Sequence, residues 1–263
     1  MAEDTKVSNS VPPGLQGVRA VVIGASGGIG AAVAAGLGEA GAEVVVAGRS
    51  RSRMESTAGQ VAERGGTVHI ETVDVGDPDS VTGFAREVIG RYGAPQILVN
   101  SMGGALFKLA LEVTPAEWDE LHTTHLRGAF LACQAFAPGM RDAGYGKIVN
   151  MSSTWAFTVA EGRSVYASAK AGLSHLTSAL ALEWAPLGIR VNAVAPTTTR
   201  TPRNEERFES NPEAEQYAVE RIPLGRVATP EDVVGPTLFL ASPMSDFVTG
   251  HTLLVDGGWV TAK

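Results

Sequence analysis

The sequence predicts an α/β fold: a doubly wound parallel sheet of about seven strands in a single domain. Three observations carry this expectation. Short β-branched runs alternate with longer helical stretches, the rhythm of βαβ units whose strands are covered on both faces. A glycine turn, Gly24-Ala25-Ser26-Gly27-Gly28-Ile29-Gly30, directly follows the first run and opens a helix of small residues, Ala31-Ala32-Val33-Ala34-Ala35. Gly41, Gly65, Gly93, Gly144 and Gly188 fall where successive helices should end and the chain turn. The 263 residues suffice for a sizeable core within one domain.

In order, the strands are expected over residues 19–24, 43–47, 68–73, 97–100, 147–151, 190–195 and 252–255, each a short apolar run bounded by turn residues. Helices fill the intervals. Leu173, Leu176, Leu180 and Trp184 recur at helical spacing and form a core or subunit-contact stripe. One excursion breaks the rhythm. Residues 197–228 are polar and rich in Thr, Arg, Glu and Pro, and an insertion of that length reads as a lid over the substrate. Residues 1–14 lack the charged-then-apolar order of a secretory signal and read as a flexible tail before a domain spanning 15–263.

Composition narrows the function. A net charge of -7 and a pI near 5.3 give no overall attraction to nucleic acid or anionic membranes. No apolar run approaches the length of a membrane span. Cys133 is the lone cysteine, so no internal disulfide can form and a reducing, cytoplasmic setting is expected. His122 and His125 are three residues apart, but no third ligand is suggested by spacing, so no metal is expected.

A strand, a glycine turn and a helix in that order expose backbone N–H groups and the positive end of a helix to a pyrophosphate. Gly24, Ser26, Gly28, Ile29 and Gly30 are therefore candidate phosphate-loop residues. The end of the second strand should meet the adenosine ribose. It offers no carboxylate for a 2′-hydroxyl; the chain reads Ala47-Gly48-Arg49-Ser50-Arg51-Ser52-Arg53. Arg49 suits a 2′-phosphate, so NADP(H) is preferred over NAD(H). Arg51 and Arg53 are taken as surface residues.

Tyr166 and Lys170 stand four apart in a helical segment and share one face. An adjacent ammonium favours the phenolate, which makes a phenol of ordinary pKa about 10 a usable acid or base. Ser153, a short loop upstream, can hold a carbonyl oxygen against that phenol while charge builds on it.

With Asp74-Val75, Asn100-Ser101-Met102-Gly103, Asn150-Met151-Ser152-Ser153, Asn192-x-x-x-Pro196 and Val255-Asp256-Gly257-Gly258 in sequence order around the two motifs above, the chain resembles the classical short-chain dehydrogenase/reductase family from about residue 17 to 260. The resemblance implies a Rossmann-type sheet and an oxidoreductase moving hydride between nicotinamide and a carbonyl or secondary-alcohol substrate. It implies that Tyr166 is the general acid/base, that Ser153 orients the substrate oxygen, and that Lys170 binds the nicotinamide ribose and lowers the tyrosine pKa. Asp74 and Val75 are implied at the adenine, Asn100 near the adenosine side of the cofactor, Thr199 and Thr201 near the carboxamide, with Ser101 and Pro196 also along the cofactor. Ser153 is favoured over Ser152 by its thirteen-residue spacing to Tyr166. The family's long helices imply a homotetramer, with a homodimer as the smaller assembly.

Four departures stand out. Ile23 replaces the threonine that braces the glycine loop, and Gly27 stands where many NADP enzymes carry a basic residue. Ser101-Met102 replaces Asn-Ala, and Thr197 replaces the glycine after Pro196. His125 stands where the family places the asparagine of a proton relay, and as a group titrating near neutrality it is expected to preserve that relay with an altered pH dependence. For the substrate wall the candidates are residues 104–107, Trp155, Phe157, Val159 and parts of 197–217. Arg200, Arg203 and Arg207 could meet a carboxylate or phosphate. Sugar-acid oxidoreduction and 3-oxoacyl thioester reduction both fit. The competing reading is a non-catalytic NADP-binding sensor, disfavoured because Ser153, Tyr166 and Lys170 are all kept.

Overall fold

The computed structural model describes residues 14–262, so the expected tail lies outside the described residues except for Gly14. Seven strands form one parallel sheet: β1 (Arg19–Ile23), β2 (Glu43–Gly48), β3 (Thr67–Thr72), β4 (Ile97–Asn100), β5 (Gly146–Met151), β6 (Ile189–Pro196) and β7 (Thr252–Val255). Every expected strand is present, with ends displaced by one residue at most. At β1 the reason is Gly24, whose φ of 86° turns the chain out of the strand.

The strand order is β3-β2-β1-β4-β5-β6-β7. From β1 the chain winds outward to β3 and then crosses back to β4, which pairs with the other edge of β1 through Val22↔Val99. The carboxyl ends of β1 and β4 therefore diverge at a topological switch point, where open α/β sheets bind ligands.

Nine α-helices are described: α1 (Gly28–Glu39), α2 (Arg51–Glu63), α3 (Pro78–Tyr92), α4 (Pro115–His122), α5 (Gly128–Asp142), α6 (Ser164–Trp184), α7 (Pro202–Ser210), α8 (Pro212–Arg221) and α9 (Pro230–Ala241). Val33, Leu37, Met54 and Leu238 from α1, α2 and α9 pack with Val22, Val44 and Val46 on one face of the sheet. On the other, Phe84, Phe136, Leu173 and Leu180 from α3, α5 and α6 pack with Val21, Val45 and Leu98. Each such side chain contributes about 1.5–3 kcal/mol by leaving water. Leu176 and Trp184 pack against the same core, so the stripe on α6 faces the sheet.

The polar excursion is not irregular. It folds into α7 and α8, is tied at its base by a parallel bridge between Thr199 and Ala228, and buries Phe208, Ala218, Ile222 and Val227 against Trp259. The sequence offered few apolar residues here; most are buried, while Tyr217 and Leu224 stay exposed.

Candidate active site

A cleft of about 790 Å³ opens at the switch point. Gly24, Ser26, Gly28, Ile29 and Gly30 line one side. A Cβ at Gly24 would stand 2.6 Å from the Met102 nitrogen, and one at Gly30 would stand 2.3 Å from the Gly24 carbonyl oxygen. Backbone thus packs on backbone, and the amino end of α1, with no carboxylate in its first turn, faces the cleft. The threonine missing at position 23 is replaced from another element: Thr57 on α2 donates to the Ala25 carbonyl at 2.6 Å. Thr197 also lines the cleft, and its buried Oγ1 has no hydrogen-bond partner among the described residues. A glycine cradle, a helix amino end and an unpaired hydroxyl fit a dinucleotide.

Arg49 lies exposed at the cleft end of β2, and Arg53, one turn along α2, lines the cleft with it. Arg53 is therefore not a plain surface residue, whereas Arg51 donates to the Ile70 carbonyl at 3.0 Å. Asp74, Val75, Ser101, Pro196, Thr199 and Thr201 also line the cleft. Thr201 sits against the glycine loop, its methyl 3.1 Å from where a Gly28 Cβ would be. Asn100 does not reach the cleft. Its amide donates to Asn150 at 2.8 Å and to Cys133 Sγ at 3.2 Å, linking β4, β5 and α5.

Ser153, Tyr166 and Lys170 converge at the opposite end of the same cleft. Ser153 leaves β5 as the cap of a short helical turn, its hydroxyl accepting from the Trp155 N–H at 3.3 Å and lying near enough to the Tyr166 phenol to lower its pKa. Ser152 borders the cleft too, but its hydroxyl is bonded to Ser174 Oγ at 2.7 Å. Burial raises the Tyr166 pKa, while the Ser153 hydroxyl and the charges of Arg163 and Arg203 pull it back. Lys170 differs from expectation. Its ammonium donates to the Met151 carbonyl at 2.6 Å and lies 5.8 Å from the Tyr166 ring centre, and burial lowers its own pKa to about 7. The nearby cations favouring the phenolate are thus Arg163 and Arg203.

His125 sits in a π-helical turn, Thr123–Arg127, between α4 and α5. Such turns carry one extra residue per turn and recur at functional sites. The His125 ring meets Tyr166 edge-on at 5.4 Å, and its Nε2 lies 3.0 Å from the Gly104 carbonyl and 3.1 Å from the Gly104 nitrogen. Burial, with the Lys170 charge second, holds its pKa down at about 2. The expectation that His125 titrates near neutrality is therefore not met: it is a neutral hydrogen-bonding group at working pH.

Beyond Tyr166, outside the cleft lining, lies an aromatic and cationic cluster. Trp155 meets Trp259 edge-on at 5.6 Å, and Phe157 is half exposed; neither lines the main cleft. Arg200 is engaged by Glu205 at 3.0 Å and by Glu215, so it is not available to a ligand as expected. Arg163, which the sequence reading passed over, stacks on Phe107 at 3.2 Å from the ring centre. Its signal was present: it stands three residues before Tyr166, on the same helix turn.

The family model described as enoyl-(acyl carrier protein) reductase matches residues 24–260. The chain is 35% identical over 246 residues to the 3-oxoacyl-[acyl-carrier-protein] reductase of Thermotoga maritima, covering 94% of this chain and 99% of that one. It is 34% identical over 244 residues to the gluconate 5-dehydrogenase of Gluconobacter oxydans, covering 93% and 95%. The crystal structure of a gluconate 5-dehydrogenase from Burkholderia cenocepacia in complex with NADP and tartrate superposes with a TM-score of 0.89 at 33% identity, over 94% of this chain and 97% of that one.

Proposed function

The chain belongs to the classical short-chain dehydrogenase/reductase family, and from that premise we propose an NADP(H)-dependent oxidoreductase in which Tyr166 is the acid/base and Ser153 holds the substrate oxygen. The supporting observation is that Ser153, Tyr166 and Lys170 line the same cleft as the glycine cradle. When bound, the nicotinamide supplies or accepts the hydride. In the reducing direction Tyr166 donates its phenolic proton to the carbonyl oxygen, which also accepts a hydrogen bond from the Ser153 hydroxyl. A phenol whose pKa is raised by burial is protonated at neutral pH and ready for that step.

In this reading Lys170 binds the nicotinamide ribose and the glycine loop the pyrophosphate. Asp74 and Val75 belong to the adenine, and Thr199 and Thr201 to the carboxamide. NADP over NAD is supported by Arg49 and Arg53 at the end of β2 and by the NADP complex of the related gluconate 5-dehydrogenase. His125 takes the relay position through hydrogen bonds alone. Residues 197–228 act as the lid of a 15–263 domain.

The substrate is a small carbonyl or alcohol compound, of which a sugar acid and a 3-oxoacyl thioester are the two classes suggested by the relatives. A homotetramer agrees with Leu182, exposed at the end of α6. A cytoplasmic setting agrees with the single, buried Cys133. Among the described residues no helix is long and apolar enough to cross a membrane.

Replacing Tyr166 by Phe keeps the ring and removes the proton. Turnover should fall by about 10²–10⁴-fold while NADPH binding, read by its fluorescence, is retained. Normal turnover by Tyr166→Phe would overturn the mechanism.

A further inference from the structure

Three guanidiniums gather near Tyr166: Arg203 lines the cleft with it, and Arg163 and Arg207 stand just outside the cleft lining. Arg163 is the residue before α6 and precedes Tyr166 by three, so the two side chains are neighbours on one face. Arg203 and Arg207 are four apart on α7 and share one face of that helix. Arg163 and Arg207 meet on a single ring, lying 3.2 Å and 4.4 Å from the centre of Phe107. Arg163 also lies 5.2 Å from the Trp155 ring centre. Arg203 lines the main cleft beside Tyr166.

None of the three ion-pairs with a carboxylate among the described residues, whereas Arg200, two residues before α7, takes both Glu205 and Glu215. The acids of this segment are therefore committed elsewhere; Glu206 lines the cleft but pairs with none of the three. Two like charges on one half-buried ring repel each other. Burial first and Arg207 second bring the Arg163 pKa down to about 10, so it stays charged at neutral pH without a counter-ion. One stacked guanidinium would serve packing; a second adds repulsion that an anion offsets.

We propose that Arg163 and Arg207, stacked on Phe107 with Arg203 beside them, form an oxyanion subsite, so that the substrate carries a carboxylate or phosphate a few atoms from its reacting carbon. Carboxylate and phosphate present the same chemistry to a guanidinium fork. This deepens the oxidoreductase reading and, for its catalytic arm, rests on it.

The test has a binding arm and a turnover arm. Malonate, inorganic phosphate and neutral malonamide are titrated calorimetrically into NADP-loaded wild type, Arg163→Gln and Arg207→Gln, with NADPH fluorescence confirming that each variant is folded. Malonate or phosphate should bind the wild type and weaken at least about tenfold in both variants, as loss of a charge-assisted pair implies, while malonamide does not bind. The anion that binds names the source. In the turnover arm, kcat/KM for 3-oxobutanoate and hydroxyacetone phosphate is compared with that for 3-oxobutanamide, and the anion-to-amide ratio should collapse toward one in the variants.

Failure of both anions to bind the wild type, or equal affinity in wild type and variants, overturns the subsite even if ketones are reduced. Arginine-dependent anion binding with no NADPH consumption on any ketone supports the subsite and instead defeats the hydride-transfer reading.

Discussion

The glycine-loop end of the cleft and the cluster beyond Tyr166 are built from different materials. At the glycine loop, the contacts are backbone on backbone: Gly24 against Met102, Gly30 against Gly24, with Thr57 reaching in to hold the Ala25 carbonyl. In the cluster beyond Tyr166, outside the cleft lining, side chains meet side chains: Phe107, Trp155, Arg163 and Arg207 come from a loop, a short helical turn, the residue before α6, and α7. At the first end, Gly24 and Gly30 admit no other residue, because there is no room for a Cβ. The second can be rewritten without moving the sheet, which is how one scaffold serves many substrates.

Gly24→Ala strikes the backbone end and should have the largest effect. Its φ of 86° is strained for alanine and the added Cβ meets Met102 and Ser101 at 2.6 Å, so loss of NADPH binding and a lowered Tm are expected together. A variant with wild-type affinity and Tm would show that the loop has slack.

Arg49→Ala probes a side chain at that same end. Removing a charge-assisted contact of about 1.5–3 kcal/mol should raise the NADPH KM by roughly 10–100-fold and leave the NADH KM nearly unchanged. Equal losses for both cofactors would remove Arg49 from the 2′-phosphate.

The smallest effect is on stability against pH, and it separates two buried bases. The His125 pKa falls from 6.5 to about 2 on folding and that of Lys170 from 10.5 to about 7. Between each pair of values the unfolded chain binds more protons, so stability rises with pH across that window. The destabilisation is complete below about 2 for His125 and below about 7 for Lys170, and it is gone above 6.5 and 10.5 respectively. In cofactor-free protein, His125→Asn should flatten the rise of Tm on the acid side of 6.5, and Lys170→Met the rise between about 7 and 10.5. Parallel Tm curves for wild type and both variants would show that neither group is desolvated.

The difference between the two regions also governs what could be read in advance. Strands and glycine turns follow from local rules, so β1 to β7 fall within a residue of expectation, and the glycine loop and Ser153, Tyr166 and Lys170 line one cleft. Arg53 and Asn100 were misplaced because the facing of a residue at an element's end depends on the neighbouring strand. Thr57, 34 residues beyond Ile23 in the chain, supplies the loop's brace through tertiary contact alone. Arg200 looked like Arg207 in sequence; only the fold shows two glutamates taking the first and none the second. Arg163 was within reach, since its spacing to Tyr166 follows the same helical rule that paired Tyr166 with Lys170.

The π turn at Thr123–Arg127 makes chain length itself a determinant of the site. A residue inserted in a helix rotates everything before it by about 100° relative to everything after. That offset lets α4 and α5 each keep its own face while His125 points at Tyr166. Deleting any one residue of the turn, even an exposed one, would reset the helix to ordinary winding and swing the histidine out of register. At this position a frame of counting is preserved, and a shortened chain with every functional side chain intact would still lack the arrangement.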